Sequence, residues 1–222
     1  MEQSGQELLT RHGLRNAKPL NWFLLRSSYM PSKIIITTSH RPTPRTRSLV
    51  KDLVSVIPNA VRITRGKATL DLLALQAVDI GADRILVIRN WKGNPRFLDF
   101  YEVLPATRKA TKICTLVLRG YKLARECGHP PPPHKPASLI LSMNDVVSRG
   151  IDECILECLV RGLRPSIATE EVSTRNHAIR LVIDTKTVKN FRIYELRFSD
   201  PNGKEYGPVL RIWKAKMYTL QS

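Results

Sequence analysis

Three consecutive isoleucines, Ile34 to Ile36, run into the segment TTSHRPTPRTR (residues 37–47), and this junction limits what the chain can fold into. A short β-branched apolar run reads as a buried strand. The following residues cannot extend it, because Pro42 and Pro44 lack backbone N–H donors. Thr43 is a suitable N-cap and Pro44 suits the first helical position. On a helical wheel of residues 44–57, Leu49, Val50, Leu53, Val54, Val56 and Ile57 share one half. Arg45, Arg47, Ser48, Lys51, Asp52 and Ser55 share the other. Pro58-Asn59 stops this helix, and a brief strand follows at 60–63. A strand–helix–strand crossover favours parallel pairing and therefore an α/β fold.

A second helix is expected after Arg65-Gly66-Lys67, reaching about Ile80 and ended by Gly81. Strands are expected at 84–89, 96–103 and 112–118, with Lys92-Gly93-Asn94-Pro95 as the turn between the first two. The run CGHPPPPHKP (127–136) favours an extended, semi-rigid spacer. Beyond it the order of elements recurs. Leu139 to Leu141 is apolar like the first strand, and a helix is expected from about Asp145 to Arg161. Its buried stripe would be Val147, Ile151, Cys154, Ile155, Cys158 and Leu159, with Gly162 closing it. Pro165 to Ala168 answers Pro58 to Val61, and a short helix is expected near Thr169 to Arg175. Strands at about 178–184, 191–198 and 208–217 complete the pattern, with Asp200-Pro201-Asn202-Gly203 turning into the last.

The expected fold class is thus α/β, with two structurally similar halves, mixed sheets and helices packed on one face. The expected organisation is a flexible extension over residues 1–30 and a domain over 31–222. That domain would comprise an N-terminal half (31–125), a proline-rich linker (126–137) and a C-terminal half (138–222). Met30 lies just ahead of the first strand and is a candidate alternative start.

Charge narrows the partner. The net charge is +17, which draws phosphate-rich polymers or anionic membranes. No apolar stretch approaches the roughly 20 residues needed to span a bilayer, and no early apolar run is long enough for a secretion signal. Nucleic acid is the better partner. Residues 31–128 hold 18 Lys/Arg against 7 Asp/Glu, whereas residues 129–222 hold 14 against 10, so the basic excess sits in the first half. Four cysteines at this length do not read as a disulfide scaffold; core thiols in a reducing, intracellular compartment are expected.

Enzyme chemistry finds little footing. A phosphate-binding glycine loop would need glycine at Val61 and a hydroxyl residue at Ala68, and no G-x-G-x-x-G occurs. Cys127, His129 and His134, with Cys154 or Cys158, have metal-ligating side chains, but C-x-H-x₄-H matches no familiar zinc frame. Asp152-Glu153 and Glu170-Glu171 read as solvated helix surface. Phe97, Phe100, Tyr101, Trp213 and Tyr218 are aromatic enough to stack bases, though packing is the commoner use of such residues. No metal, cofactor, small-molecule substrate or catalytic residue is expected.

The segment ITTSHRPTPRTRSLVKDLVSVIPNAVRITRGK (36–67) resembles the opening of the Brix domain. That family shows T-S-R-x-P-S-x-R-x-R, then F-x-K-x-L, F-P-N-A and R-G. Thr38, Ser39, Arg41, Pro44, Arg45, Arg47, Lys51, Leu53, Pro58, Asn59, Ala60, Arg65 and Gly66 fit in order, with His40 displacing the first arginine. A later signature, E-x-G-P-R followed by alternating apolar and basic residues, is met by Glu205, Gly207, Pro208, Leu210, Ile212 and Lys214. Val209 stands where the family has arginine. The resemblance spans about residues 32–220.

The resemblance implies a non-catalytic ribosome biogenesis factor that binds ribosomal or pre-ribosomal RNA and aids its processing and subunit assembly. Ribosomal proteins or other assembly factors are its implied partners. It also implies halves similar to the anticodon-binding domain of class II aminoacyl-tRNA synthetases. Without the charged tails of nucleolar members, the chain looks archaeal and cytoplasmic; a eukaryotic one would be nucleolar. The residues expected to grip RNA are Arg41, Arg45, Arg47, Lys51, Arg62, Arg65 and Lys67, extended by Arg211, Lys214 and Lys216 on the last strand. An RNA-processing enzyme with an unrecognised site and a basic module for an acidic protein are the alternatives.

Overall fold

The isoleucine run forms β1 (Lys33–Thr38), and Ile34, Ile35 and Ile36 are all essentially buried. Successive side chains on a strand point to opposite faces, so a strand buried at three consecutive positions needs cover on both sides. The computed structural model describes residues 33–142, 146, 148–168 and 177–219. In it, α1 (Pro44–Val56) covers one face with Leu49, Val50, Leu53 and Val56, packed with Ile34 and Ile36. After β2 (Ala60–Arg62), α2 (Leu70–Asp79) covers the other face, where Leu73 and Ala77 meet Ile35. The expectation of helices on a single face is therefore corrected. Ile35, buried between its neighbours, is the residue that demands the second layer.

The hairpin of β3 (Ala82–Trp91) and β4 (Asn94–Leu104) leads to β5 (Lys109–Lys122) and the short α3 (Ala124–Cys127). The later elements are β6 (Ser138–Ser142), α4 (Glu153–Leu163), β7 (Ser166–Ala168), β8 (Ala178–Val188), β9 (Phe191–Ser199) and β10 (Glu205–Met217). The strands form one sheet in the order β2-β1-β3-β4-β5-β10-β9-β8-β6-β7. β1 is parallel to β2 and β3, and β6 is parallel to β7 and β8; the remaining pairs are antiparallel. The order of the first five strands thus recurs in the last five.

Separate mixed sheets were expected, but β5 and β10 pair antiparallel from Cys114 to Lys122 and join them. Two unpaired edges would each leave a row of backbone donors and acceptors open, and pairing them satisfies both.

Two helices, α1 and α4, pack across this seam. Val56 of α1 lies against Gly207 of β10, where an added Cβ would fall 2.6 Å from Val56 Cγ1. Gly207 also has φ +65, so the glycine of the later signature is required twice over. Gly162 of α4 lies on Phe100 of β4, with an added Cβ only 2.6 Å from Phe100 Cδ1. Gly162 was expected to end its helix; it is instead an interior contact residue, and Arg164, with φ 47, is the cap.

The helix expected from about Asp145 is interrupted: Val146 and Ser148 are helical, but Arg149 and Gly150 turn ahead of α4. Asp152 caps it by accepting from Ile155 N, and Gly150 just ahead has φ +57. Val147, the short helix near Thr169 to Arg175 and the extension over 1–30 lie outside the described residues. Cys154, assigned to the buried stripe, is exposed. Cys158 is buried as expected but is no free thiol: it forms a disulfide with Cys114 of β5, with Cα atoms 5.7 Å apart. Sequence spacing carried no sign of this pairing, because it depends on α4 lying across β5.

The Asp99 carboxylate is fully buried. Asp99 on β4 accepts from Arg89, from Lys112 at 2.7 Å and from Thr115 Oγ1 at 2.6 Å. Burial alone would raise its carboxyl, but the hydrogen bonds from Arg89, Lys112 and Thr115 outweigh burial and hold it below the usual carboxylate range.

Candidate nucleic-acid interface

At the carboxyl end of β1 the chain leaves the sheet and enters α1, and the end of the neighbouring β2 leads into a second loop. Thr37 Oγ1 donates to the Ile63 carbonyl at 2.7 Å, and Ile63 N donates to Ile36 O, so the two strand ends are locked together. Thr43 caps α1 by accepting from Thr46 N, as the sequence implied. Thr46 is buried and donates onward to Asn90 Oδ1 at 2.6 Å, which pins the first turn of α1 to β3. His40 Nδ1 lies 3.0 Å from the Gly66 carbonyl. The residue that displaces the family's arginine therefore bridges the two loops.

Between the two loops lies an open cleft of about 330 Å³. Its lining includes Arg41, Arg47, Arg62 and Arg65, together with Thr38, Ser39 and Thr64, and contains no carboxylate. Arg41 reaches it from a backbone with φ 52, a conformation uncommon outside glycine and asparagine. Arg65 Nε donates to the Ala68 carbonyl at 2.8 Å, which fixes the side chain and leaves its terminal nitrogens for a ligand. Such a cleft, at strand carboxyl ends beside a helix N-terminus, is suited to anionic oxygens.

The expected site residues divide into three groups. Arg41, Arg47, Arg62 and Arg65 line the cleft. Lys51 and Lys67 are exposed beside it, one a turn along α1 from Arg47 and the other next to Gly66. Arg45 is turned to a structural use. Its Nε donates to Tyr121 Oη at 2.8 Å and its Nη1 meets Glu126 at 2.7 Å, and the Tyr121 and Glu126 hydrogen bonds raise its pKa further above neutrality. Arg211, Lys214 and Lys216 lie on β10, separated from β1 by three strands. Arg211 is paired with Glu195, while Lys214 and Lys216 sit over Trp213 and Tyr218. The polar lining by Thr64 was not anticipated; it follows from where the loop after β2 turns, which residue type alone does not reveal.

The residues weighed as zinc ligands are dispersed. His129 meets the Gly207 carbonyl and Glu205, His134 packs on His177, and Cys158 is in the disulfide.

No family model matches the chain. Among curated proteins it is similar to a probable Brix domain-containing ribosomal biogenesis protein of Pyrococcus horikoshii, 48% identical over 95 residues, which is 43% of this chain and 42% of that protein. A protein of the same description from Thermococcus kodakarensis is 48% identical over 95 residues, 43% of this chain and 45% of that one. The aligned stretch thus spans less than half the length of these relatives. The Aeropyrum pernix protein of that description is 31% identical over 180 residues, 81% of this chain and 94% of its own length. Among solved structures, the probable ribosomal biogenesis protein from Aeropyrum pernix K1 superposes with a TM-score of 0.70 at 28% identity, covering 85% of this chain and 99% of that one. Mil, an archaeal Imp4-like protein, shares the fold with a TM-score of 0.54 at 18% identity, covering 83% of this chain and 99% of that one.

Proposed function

We propose, from the premise that this chain belongs to the Brix domain-containing ribosomal biogenesis proteins, that it is a non-catalytic assembly factor that grips ribosomal or pre-ribosomal RNA through phosphate contacts. The observation that carries the reading is the cleft with four arginines and no acid. Arg41, Arg47, Arg62 and Arg65 would hold phosphate oxygens in the cleft, with Lys51 and Lys67 at its rim. Arg45 would act by keeping the first turn of α1 against β5 and α3. Arg211, Lys214 and Lys216 would form a second contact region on β10.

Other parts of the reading rest on the same premise. The recurring strand order supports a division into related halves, each like the anticodon-binding domain of class II aminoacyl-tRNA synthetases. Ribosomal proteins or other assembly factors would be co-partners. The archaeal source of the relatives supports a cytoplasmic location. No helix among the described residues is long and apolar enough to cross a membrane.

The test is the salt dependence of binding to a ribosomal RNA fragment. Removing one arginine–phosphate interaction should flatten the slope of log K against log salt by about 0.7–0.9. Arg47→Ala with Arg62→Ala should flatten it by about 1.4–1.8 and weaken binding, with the melting temperature unchanged. An unchanged slope and affinity would remove the cleft from the RNA interface.

A further inference from the structure

Across the sheet from the cleft, the tip of the β8–β9 hairpin carries apolar surface that the core does not use. Val188 is 50% and Phe191 55% exposed. They are cross-strand partners on either side of a two-residue turn, Lys189-Asn190, in which both residues have positive φ. Side chains paired in this way lie on one face of the ribbon. On the adjacent β10, Trp213 meets Phe191 edge to face, with ring centroids 6.4 Å apart and planes at 86°. Trp213 thus steadies the Phe191 ring and leaves much of it open to solvent. The Lys214 ammonium lies 4.5 Å from the Trp213 ring centre.

The surroundings are basic. Residues 186–192 and 211–216 contain Lys186, Lys189, Arg192, Arg211, Lys214 and Lys216 and no acid. Glu195, which pairs with Lys186 and Arg211, is the carboxylate that meets this group among the described residues. An apolar protein partner has no need of this rim, and an anionic polymer that also presents flat apolar faces matches both features. Unpaired nucleic-acid bases have that chemistry, since an aromatic ring can stack on a base while lysines meet the flanking phosphates.

The equivalent hairpin earlier in the chain shows the same association. Trp91, 60% exposed, precedes the turn Lys92-Gly93, again with both φ values positive. A lysine with φ near +50 at the first turn position is less favourable than asparagine or glycine there. It stands at that position in both hairpins.

We infer that the Phe191–Trp213 patch is a stacking site for unpaired RNA bases, separate from the phosphate-binding cleft. This rests on the RNA-binding reading above, and one experiment distinguishes the two. Fluorescence anisotropy of the full chain is measured with a single-stranded uridine-rich oligonucleotide and with a blunt RNA duplex. Phe191→Ala should weaken single-strand binding about fivefold or more and leave duplex binding within about twofold. Phe191→Trp should retain wild-type affinity, whereas Phe191→Leu, which keeps apolar bulk without a π-face, should resemble Phe191→Ala. Unchanged single-strand affinity in Phe191→Ala, or full rescue by Leu, overturns the stacking site. Loss of duplex binding in the Arg47/Arg62 variant would then still uphold the cleft. Failure of the wild-type chain to bind either RNA would overturn both readings.

Discussion

His40 Nδ1 stands 3.0 Å from the Gly66 carbonyl oxygen, and through this contact the loop bearing Arg41 is held to the loop bearing Arg65, which follows Arg62 at the end of β2. A single hydrogen bond of this type contributes about 1 kcal/mol. His40→Ala should therefore weaken RNA binding roughly three- to tenfold by letting the loops part, with little change in global stability because His40 is exposed. Affinity by anisotropy and melting by circular dichroism separate the two effects. An equal loss in both would mean that the contact supports the fold rather than the cleft.

Gly162 and Phe100 leave no room for a methyl group between α4 and β4. Gly162→Ala should destabilise the protein by about 1–3 kcal/mol through overpacking, although alanine is the better helix former. Gly120→Ala is the control, since a Cβ there meets only Arg211 Cδ at an ordinary 3.8 Å. Urea denaturation of both variants checks the difference.

The Cys114–Cys158 disulfide closes a loop with a sequence separation of 44 residues. On the chain-entropy model a loop of this length is worth about 4 kcal/mol, with measured values commonly near 2–4 kcal/mol. Cys114→Ser with Cys158→Ser should lower denaturant stability by that order. Mass spectrometry of alkylated, unreduced protein should show two fewer modifiable thiols than the reduced form. Four labelled cysteines in unreduced protein would exclude the bond.

Asp99 sets an acid limit. Its folded-state pKa is held below the unfolded value of about 3.9, so the stabilisation is complete above that value and is lost as pH falls through the folded pKa. The protein should lose stability below about pH 4, and Asp99→Asn should be less stable at neutral pH yet show a shallower decline on acidification. Melting temperatures between about pH 2.5 and 7 test this.

The local elements were readable because their causes are local. Thr43 and Pro44 begin α1 where capping chemistry places the start, Pro58-Asn59 ends it, and Gly81 follows α2 with φ +69. The later signature's Gly207 was legible as a motif, but its reason, the contact with Val56, was not. Arg45 and Arg47 illustrate the limit for the candidate site. They are two positions apart on one helix and identical in type, yet one is tied to Tyr121 and Glu126 and the other opens into the cleft.

By itself the sequence determined the strand–helix–strand start, the basic excess of the first half and the family, since spacing, charge and motif are properties of neighbouring residues. The tertiary structure alone decided the β5–β10 junction, the second helical layer over Ile35, the place of Gly162 and the Cys114–Cys158 bond. It also selected which arginines converge. Each of these depends on groups distant in the chain meeting across the sheet, and local propensity carries no term for such meetings.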